Sequence, residues 1–444
     1  MFYLALGDAR LNRRLCQVIE AMASDPMASI PSVCGGGWAE TKAAYRLLDN
    51  PRLDFREVLR AHSVPTLERI RQQSRVLCLQ DTTELDYSGR PSMAGLGRLN
   101  YEKRQGLYLH PTLVISEAGV ALGVTDCWHW ARLPKGEPDL AESLRWVEGY
   151  ERVAELAALA PETRLVYVAD REGDLRALID RAEQLGFAAD YLIRVRHDRK
   201  LNDPLDGKLR AAVEAQPVLG TIAFDLPASG NRPARQVTQT LRVARLELKT
   251  RNGPGPKVTV ILAWEEAPPE GREAVEWCLI TNEPITTLEQ ARARIEWYRK
   301  RWWIEVYFRI LKSGCRIEAL QLRTRERLER ALVLYLIVAW RILMLMTLGR
   351  EHPEWCCEVV FSVEEWQTAW AIHHRTPPPS KPPDLGTIVR LVAGFGGWLG
   401  RKNDPPPGPK ALWQGMTKLS AYVEAVTAIQ TAEIKFPQKK RIRH

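Results

Sequence analysis

Two segments of the chain share one pattern, a short apolar run that ends in an aspartate. Residues 75–80 lead into Asp81, and residues 164–169 lead into Asp170. Continuous apolar runs of this length are typical of strands buried on both faces, and α/β sheets place their chemistry where such strands end. The pattern predicts an α/β fold with Asp81 and Asp170 at one edge of the sheet. A strand-end aspartate often only caps the following turn, so both interpretations stay open.

A third carboxylate stands among cations in residues 297–312. This stretch contains no Gly or Pro and predicts one continuous helix. At about 100° per residue, one stripe of that helix carries a phenol, a carboxylate and three cations. The stripe consists of Tyr298, Arg301, Glu305, Arg309 and Lys312. A lone carboxylate among fixed cations fits a site that holds a metal ion while cations grip neighbouring phosphate oxygens.

The charge of the chain predicts a polyanionic partner. Lys and Arg number 63 against 54 Asp and Glu, which gives a net charge of +9. The cations cluster at 194–200, 292–301, 323–330 and 439–443. Clustered cations attract nucleic acid more than a dispersed surplus does.

Cysteine usage and hydropathy argue against two other classes of protein. The 8 Cys include no Cys-x-x-Cys pair and His is scarce, so a zinc site is disfavoured and a reducing cytoplasm is indicated. The charged residues from Asp8 to Arg14 argue against a signal peptide. The apolar run 331–348 carries Arg341 in its middle, which favours a buried core helix over a membrane span.

The order of patterns along the chain predicts three domains. Residues 1–68 read as an all-α N-terminal domain, residues 69–350 as an α/β domain, and residues 351–444 as a helical C-terminal domain. Segments of 217–282 alternate in polarity between Gly, Pro and Asn turns. They predict an antiparallel β-rich insertion over about residues 200–282.

Three motifs resemble a known family. They are Asp81-Thr82-Thr83, Asp170-Arg171-Glu172 and the spacing Tyr298-x-x-Arg301-x-x-x-Glu305 followed by Lys312. Together they resemble the DDE transposases of the IS4 group, with the closest likeness to the Tn5 (IS50) transposase. The resemblance extends over nearly the whole chain, including Leu6-Gly7-Asp8 and the region around 394–398.

The resemblance implies a fold and a metal site. The fold would be a ribonuclease-H-like core, a mixed sheet flanked by helices, with an antiparallel β insertion and all-α terminal domains. The N-terminal domain would read transposon ends and the C-terminal domain would form a dimer. Asp81, Asp170 and Glu305 match the catalytic triad of the family, which binds two Mg²⁺ per active site, with Mn²⁺ able to substitute. Hard divalent ions prefer such carboxylate oxygens independently of the resemblance.

The resemblance also implies DNA contacts. Tyr298, Arg301 and Lys312 match phosphate-contacting residues, Arg309 falls at a basic position nearby, and Trp277 falls where the family stacks a flipped base. The basic segments add further candidate contacts to the DNA backbone, which are Arg194, Arg196, Lys200, Arg232, Arg235, Arg10 and Arg14. For residues 231–235 a plain exposed turn is an equal alternative, and Trp277 could be a core tryptophan.

The function implied is cut-and-paste DNA transposition by metal-dependent phosphoryl transfer. Its steps are nicking, hairpin formation, hairpin resolution and strand transfer. The partners would be double-stranded DNA, at transposon end repeats and at the target, and a second copy of the chain. No membrane is expected, and the setting would be a prokaryotic cytoplasm, at the nucleoid.

Two alternatives remain. Family members usually carry a helical segment ahead of the Leu-Gly-Asp motif, whereas this chain starts almost at it. If the natural protein starts here, weaker end binding would be expected, and a non-catalytic DNA-binding regulator or inhibitor of transposition is the alternative function. A two-carboxylate glycosidase is a weaker alternative, because the flanking cations suit phosphate better than sugar.

Overall fold

A computed structural model describes residues 8–33, 37–89, 93–101, 103–133, 142–202, 207–226, 233–250 and 253–432. The strands are β1 (Arg75–Gln80), β2 (Thr83–Asp86), β3 (Gly97–Arg98), β4 (Gln105–Ser116), β5 (Ala121–Trp130), β6 (Arg164–Ala169), β7 (Asp190–Arg194), β8 (Gly220–Leu226), β9 (Arg235–Thr250), β10 (Gly253–Trp264) and β11 (Glu276–Thr281). The helices are α1 (Ala9–Ser24), α2 (Ile30–Val33), α3 (Trp38–Asp49), α4 (Phe55–Arg71), α5 (Leu144–Leu159), α6 (Arg176–Gln184), α7 (Leu209–Glu214), α8 (Leu288–Lys300), α9 (Trp302–Arg309), α10 (Arg325–Glu351), α11 (Val363–His374), α12 (Leu385–Phe395) and α13 (Pro409–Thr431).

The chain forms two compact units. Among the described residues, one unit lies within 59–305, and the other comprises those of 8–58 and 306–432. These units divide the chain differently from the three predicted domains, whose boundaries stay a prediction.

The first unit is built on one mixed sheet. Its first strands lie in the order β5-β4-β1-β6-β7, with β1, β6 and β7 parallel and β4 antiparallel to β1. Strands β1 and β6 are buried along nearly their whole length, as their continuous apolar sequences predict. Helix α5 packs on this part of the sheet, and α6 packs against α5 and β10. The sequence-based prediction of an α/β fold with two buried strands ending in Asp81 and Asp170 is correct.

The predicted β-rich insertion continues the same sheet. Strand β11 pairs antiparallel with β7, and β10, β9 and β8 follow in antiparallel pairs. The alternating burial along β9 matches the alternation of its sequence, with one face packed and the other solvated. The prediction of antiparallel strands in 217–282 is confirmed.

The prediction of one continuous helix over 297–312 is wrong. Helix α8 ends at Lys300 and α9 begins at Trp302, with Arg301 at the joint. The Arg301 N–H donates to the Tyr298 carbonyl at 3.0 Å, and the Ile304 N–H donates to the Arg301 carbonyl at 3.0 Å. These bonds span three residues rather than four, so the helix tightens there. The stretch after Arg309 then forms a π-helical turn, Ile310–Gly314.

The second unit is helical and packs around α10. Helices α1, α3, α12 and α13 contact it. Arg327 of α10 forms an ion pair with Asp49, and the Arg330 guanidinium donates to the Leu48 carbonyl at 2.8 Å. Within the described chain, α10 is the one helix long and apolar enough to span a membrane, and 83% of its apolar window is buried inside the protein. The core-helix interpretation of 331–348 is therefore correct.

Candidate active site

Parallel pairing of β1 and β6 places two aspartates side by side. Leu79 pairs with Val168 across the two strands, so Asp81 and Asp170 follow at the same edge of the sheet. Asp81 accepts a hydrogen bond from the Thr82 N–H at 2.8 Å, and Asp170 accepts one from the Arg171 N–H at 2.7 Å. Each aspartate thus also caps the turn behind its strand.

The Arg301 guanidinium joins these aspartates to the carboxylate of α9. It lies 2.7 Å from Asp81 Oδ2, 2.8 Å from Glu305 Oε1 and 3.7 Å from Asp170 Oδ2. Its side chain is 10% exposed, whereas the three carboxylates are 23–34% exposed. Three acidic side chains far apart in sequence therefore converge on one buried cation.

Burial dominates the electrostatics of this cluster. It raises the pKa of Asp81 and of Glu305, although the nearby Arg301 charge acts in the opposite direction on both. Burial would lower the pKa of Arg301, but Tyr298 and the three carboxylates outweigh it, so the pKa of that guanidinium is raised. The carboxylates thus sit where their negative charge is costly without a cation.

Tyr298 holds the third carboxylate of the cluster. Its hydroxyl donates to Asp170 Oδ1 at 3.0 Å, and burial, followed by the Asp170 charge, raises the pKa of the phenol to about 12. The hydroxyl is therefore a proton donor at neutral pH. Trp277 lies edge-on to the Tyr298 ring at 6.3 Å and stacks on Phe224 at 5.1 Å, so one face of its indole is already covered.

A series of hydrogen bonds holds the turn that directly follows Asp81. His110 Nε2 lies 3.1 Å from Gln80 Oε1, which only accepts, so Nδ1 accepts from the Thr82 hydroxyl at 2.9 Å. Burial lowers the pKa of His110 to about 3, which keeps the ring neutral. Gln80 donates in turn to the Thr112 hydroxyl at 2.6 Å. No sequence signal indicates this network, because its members lie on β1, on β4 and in the turn after β1, and the register of those strands depends on tertiary contacts.

An arginine-lined recess adjoins Asp170. The arginine recess is a cavity of about 690 Å³ whose cationic lining is Arg171, Arg194, Arg196 and Arg210. Arg194 Nη1 lies 4.0 Å from Asp170 Oδ1. The fully buried Asp174 fixes the loop that carries Arg196, because it accepts the N–H groups of Arg196 and His197 at 2.6 and 2.8 Å. Lys200, farther along that loop, is exposed.

The remaining predicted contacts are scattered. Arg235 forms an ion pair with Glu265 that no sequence pattern indicates, and Arg232 lies outside the described residues. In the second unit, Arg10 and Arg14 are exposed on α1, Arg309 is exposed, and Lys312 is half-buried in the π-helical turn.

The donor chemistry of the cluster fits a hard divalent metal. Asp81, Asp170 and Glu305 offer only carboxylate oxygens, the ligands that Mg²⁺ and Mn²⁺ prefer. As they are arranged, no three His, Cys, Asp or Glu side chains of the described chain are grouped closely enough to hold an ion directly. The guanidinium of Arg301 stands among the three carboxylates.

Models of known protein families match three parts of this chain. The chain matches family models described as "Transposase DNA-binding" over residues 3–53, "Transposase DDE domain" over residues 147–341 and "Transposase Tn5 dimerisation domain" over residues 337–433. The chain belongs to the Tn5-like, IS4-group DDE transposases. The ribonuclease-H-like α/β core implied by the sequence motifs is thereby confirmed.

The family assignment carries the general function. The chain is a DNA transposase, a DDE endonuclease and strand transferase, and its family implies dependence on a divalent metal. It carries a DNA-binding domain and a dimerisation domain. The transposase is similar to a solved structure, the "piggyBac transposase synaptic complex with hairpin DNA". The two share 8% sequence identity with a TM-score of 0.35, and the match covers 97% of this chain and 73% of the piggyBac chain.

Proposed function

We propose that this transposase excises and inserts its element by cut-and-paste transfer, with Asp81, Asp170 and Glu305 as the catalytic residues. The DNA reactions would be nicking, hairpin formation on the opposite strand, hairpin opening and strand transfer. The observation that supports this proposal is the convergence of the three carboxylates on the Arg301 guanidinium. A site that gathers three acids needs compensating positive charge, which the reaction can draw from metal ions.

The three carboxylates would hold the divalent ions, with Mg²⁺ as the physiological metal, two per site, and Mn²⁺ as a substitute. Two such ions activate the attacking oxygen and stabilise the leaving oxygen of a phosphodiester. The residues around the carboxylates set their positions. Tyr298 orients Asp170 through its hydroxyl, and the Thr82–His110 bond fixes the turn that follows Asp81.

The cations beside the carboxylates would grip the DNA backbone. The arginine recess presents Arg171, Arg194 and Arg196, whose guanidinium groups can bind phosphate oxygens, whereas Arg210 is already paired with Glu276 and Glu214. Arg301 would exchange a carboxylate for a phosphate when DNA is bound. The other proposed contacts are Trp277, which would stack a flipped base on its open face, and Lys312, Arg309, Lys200, Arg232, Arg235, Arg10 and Arg14.

Binding of both transposon ends would be carried out by a homodimer on DNA. The match to a Tn5 dimerisation domain over residues 337–433 supports this proposal. We place the reaction in a prokaryotic cytoplasm, at the nucleoid. The seven described cysteines, all free, suit that reducing compartment.

Cleavage of plasmid DNA that carries the element's own terminal repeats tests the proposed function. With Mg²⁺, the wild-type protein should give nicked products, then hairpin ends and excised element, and Asp81→Asn and Glu305→Gln should each abolish all three. Asp180→Asn is the matched control, because Asp180 is a half-exposed carboxylate on α6 paired with Arg176. Undiminished nicking by the Asp81 and Glu305 variants would exclude these carboxylates from catalysis.

A further inference from the structure

The Arg301 guanidinium lies close to all three carboxylates of the site. Arg301 contacts Asp81 and Glu305 at hydrogen-bond distance and lies within 3.7 Å of Asp170. The neighbouring Arg194 reaches only Asp170 among these three in the described chain, at 4.0 Å. Arg301 is therefore the main source of positive charge for the cluster, and it stands where an ion shared by the same carboxylates would have to enter.

The backbone at Arg301 is the joint between two helices. Arg301 lies between the last residue of α8 and the first of α9, with bonds that span three residues on either side of it. The Arg301 guanidinium ends a side chain with several rotatable bonds, so rotamer changes can redirect it without moving the backbone of either helix. A planar guanidinium binds a phosphate with the same paired geometry that it offers to carboxylates.

We propose that Arg301 is an electrostatic latch that couples metal binding to DNA binding. In the free protein its guanidinium holds the three carboxylates together and opposes the entry of a divalent ion. A DNA phosphate that takes over the guanidinium releases the carboxylates for the metal. This inference rests on the proposed role of Asp81, Asp170 and Glu305 as metal ligands.

The latch has a thermodynamic consequence that does not depend on turnover. If DNA raises the affinity for the metal, the metal must raise the affinity for DNA by the same factor. Removing the latch should tighten metal binding in the free protein and weaken this mutual enhancement. A residue that only grips phosphate would lower DNA affinity without changing metal affinity in the absence of DNA.

A titration of the full chain with Mn²⁺, followed by electron paramagnetic resonance of the free ion, measures this directly. Without DNA, Arg301→Gln should bind Mn²⁺ at least about tenfold more tightly than wild type, since a cation within 4 Å of the ligands is removed. Arg301→Lys, which keeps the charge but loses the fork, should show a smaller gain. Arg299→Gln is the matched control: it makes the same charge change on α8, but Arg299 pairs with Glu296.

A second arm of the titration adds a short DNA duplex. Wild-type affinity for Mn²⁺ should rise by about tenfold or more, whereas Arg301→Gln should gain much less. Duplex alone and the Asp81→Asn protein correct for ions bound by DNA. If circular dichroism shows that Arg301→Gln is unfolded, Arg301→Lys and the wild-type duplex arm still decide the question.

The outcomes separate the latch from the proposed function. The latch is refuted if Arg301→Gln binds Mn²⁺ like wild type and the duplex leaves wild-type affinity unchanged, while Asp81→Asn and Glu305→Gln weaken Mn²⁺ binding. That result leaves the metal-ligand assignment standing. If the carboxylate variants also bind Mn²⁺ normally, the proposed function falls together with the latch.

Discussion

Replacing Tyr298 by Phe removes one hydroxyl from the site and leaves the packed ring in place. The hydroxyl donates to Asp170 Oδ1 at 3.0 Å, and a hydrogen bond to a charged acceptor contributes about 1.5–3 kcal/mol. Asp170 is 32% exposed and keeps its bond from the Arg171 N–H, so we expect the lower end of this range. About 1.4 kcal/mol corresponds to a tenfold change in rate, and nicking by Tyr298→Phe should therefore slow by about tenfold.

Single-turnover nicking at saturating DNA and Mg²⁺ measures this effect. The matched control is Tyr150→Phe, which loses a buried hydroxyl that donates to the Ala189 carbonyl at 2.7 Å. That variant should lose about 1 kcal/mol of stability and keep its nicking rate. A wild-type rate for Tyr298→Phe, or equal slowing of both variants, would refute the idea that the phenol positions Asp170 for the reaction.

Three further predictions concern stability and DNA binding. Burial raises the pKa of Asp81, so its contribution to stability falls as the pH rises above its ordinary value of 3.8. At pH 7 the urea midpoint of Asp81→Asn should therefore be higher than that of wild type. Below the ordinary pKa of 3.8 this difference should vanish. Arg196→Gln should weaken DNA binding and lower the slope of log affinity against log salt by about 1, as filter binding at several salt concentrations would show. His110→Phe leaves the Gln80 and Thr82 side chains without their shared partner, and the free energy of unfolding should fall by about 2 kcal/mol; an unchanged urea midpoint would contradict this.

The placement of two acids could be predicted from the sequence because local signals were strong. Apolar runs of four and five residues that lead to Asp81 and Asp170 predict buried strands, and parallel strands place their last residues at one edge of the sheet. The β-rich insertion could also be predicted, because segments of alternating polarity and turn residues repeat through it. That it would extend the same sheet through β11 and β7 was not visible, because strand order depends on contacts distant in sequence.

Tertiary contacts explain what the sequence did not reveal. The joint at Arg301 has no Gly or Pro to mark it, and the residue there is bound by carboxylates from three segments. The sequence predicts a basic turn at residues 231–235, whereas Arg235 begins β9 and pairs with Glu265, which follows β10 and is 30 residues later in the chain. Pairings of this kind follow from strand register, which composition and periodicity leave open.

Anomalous diffraction at the manganese edge, from crystals of the transposase with terminal-repeat DNA and Mn²⁺, would show which side chains hold the metal. We expect manganese peaks beside the carboxylate oxygens of Asp81, Asp170 and Glu305, with the Arg301 guanidinium bound to a DNA phosphate. Peaks bound by other side chains, with these three carboxylates still joined to Arg301 on engaged DNA, would contradict it.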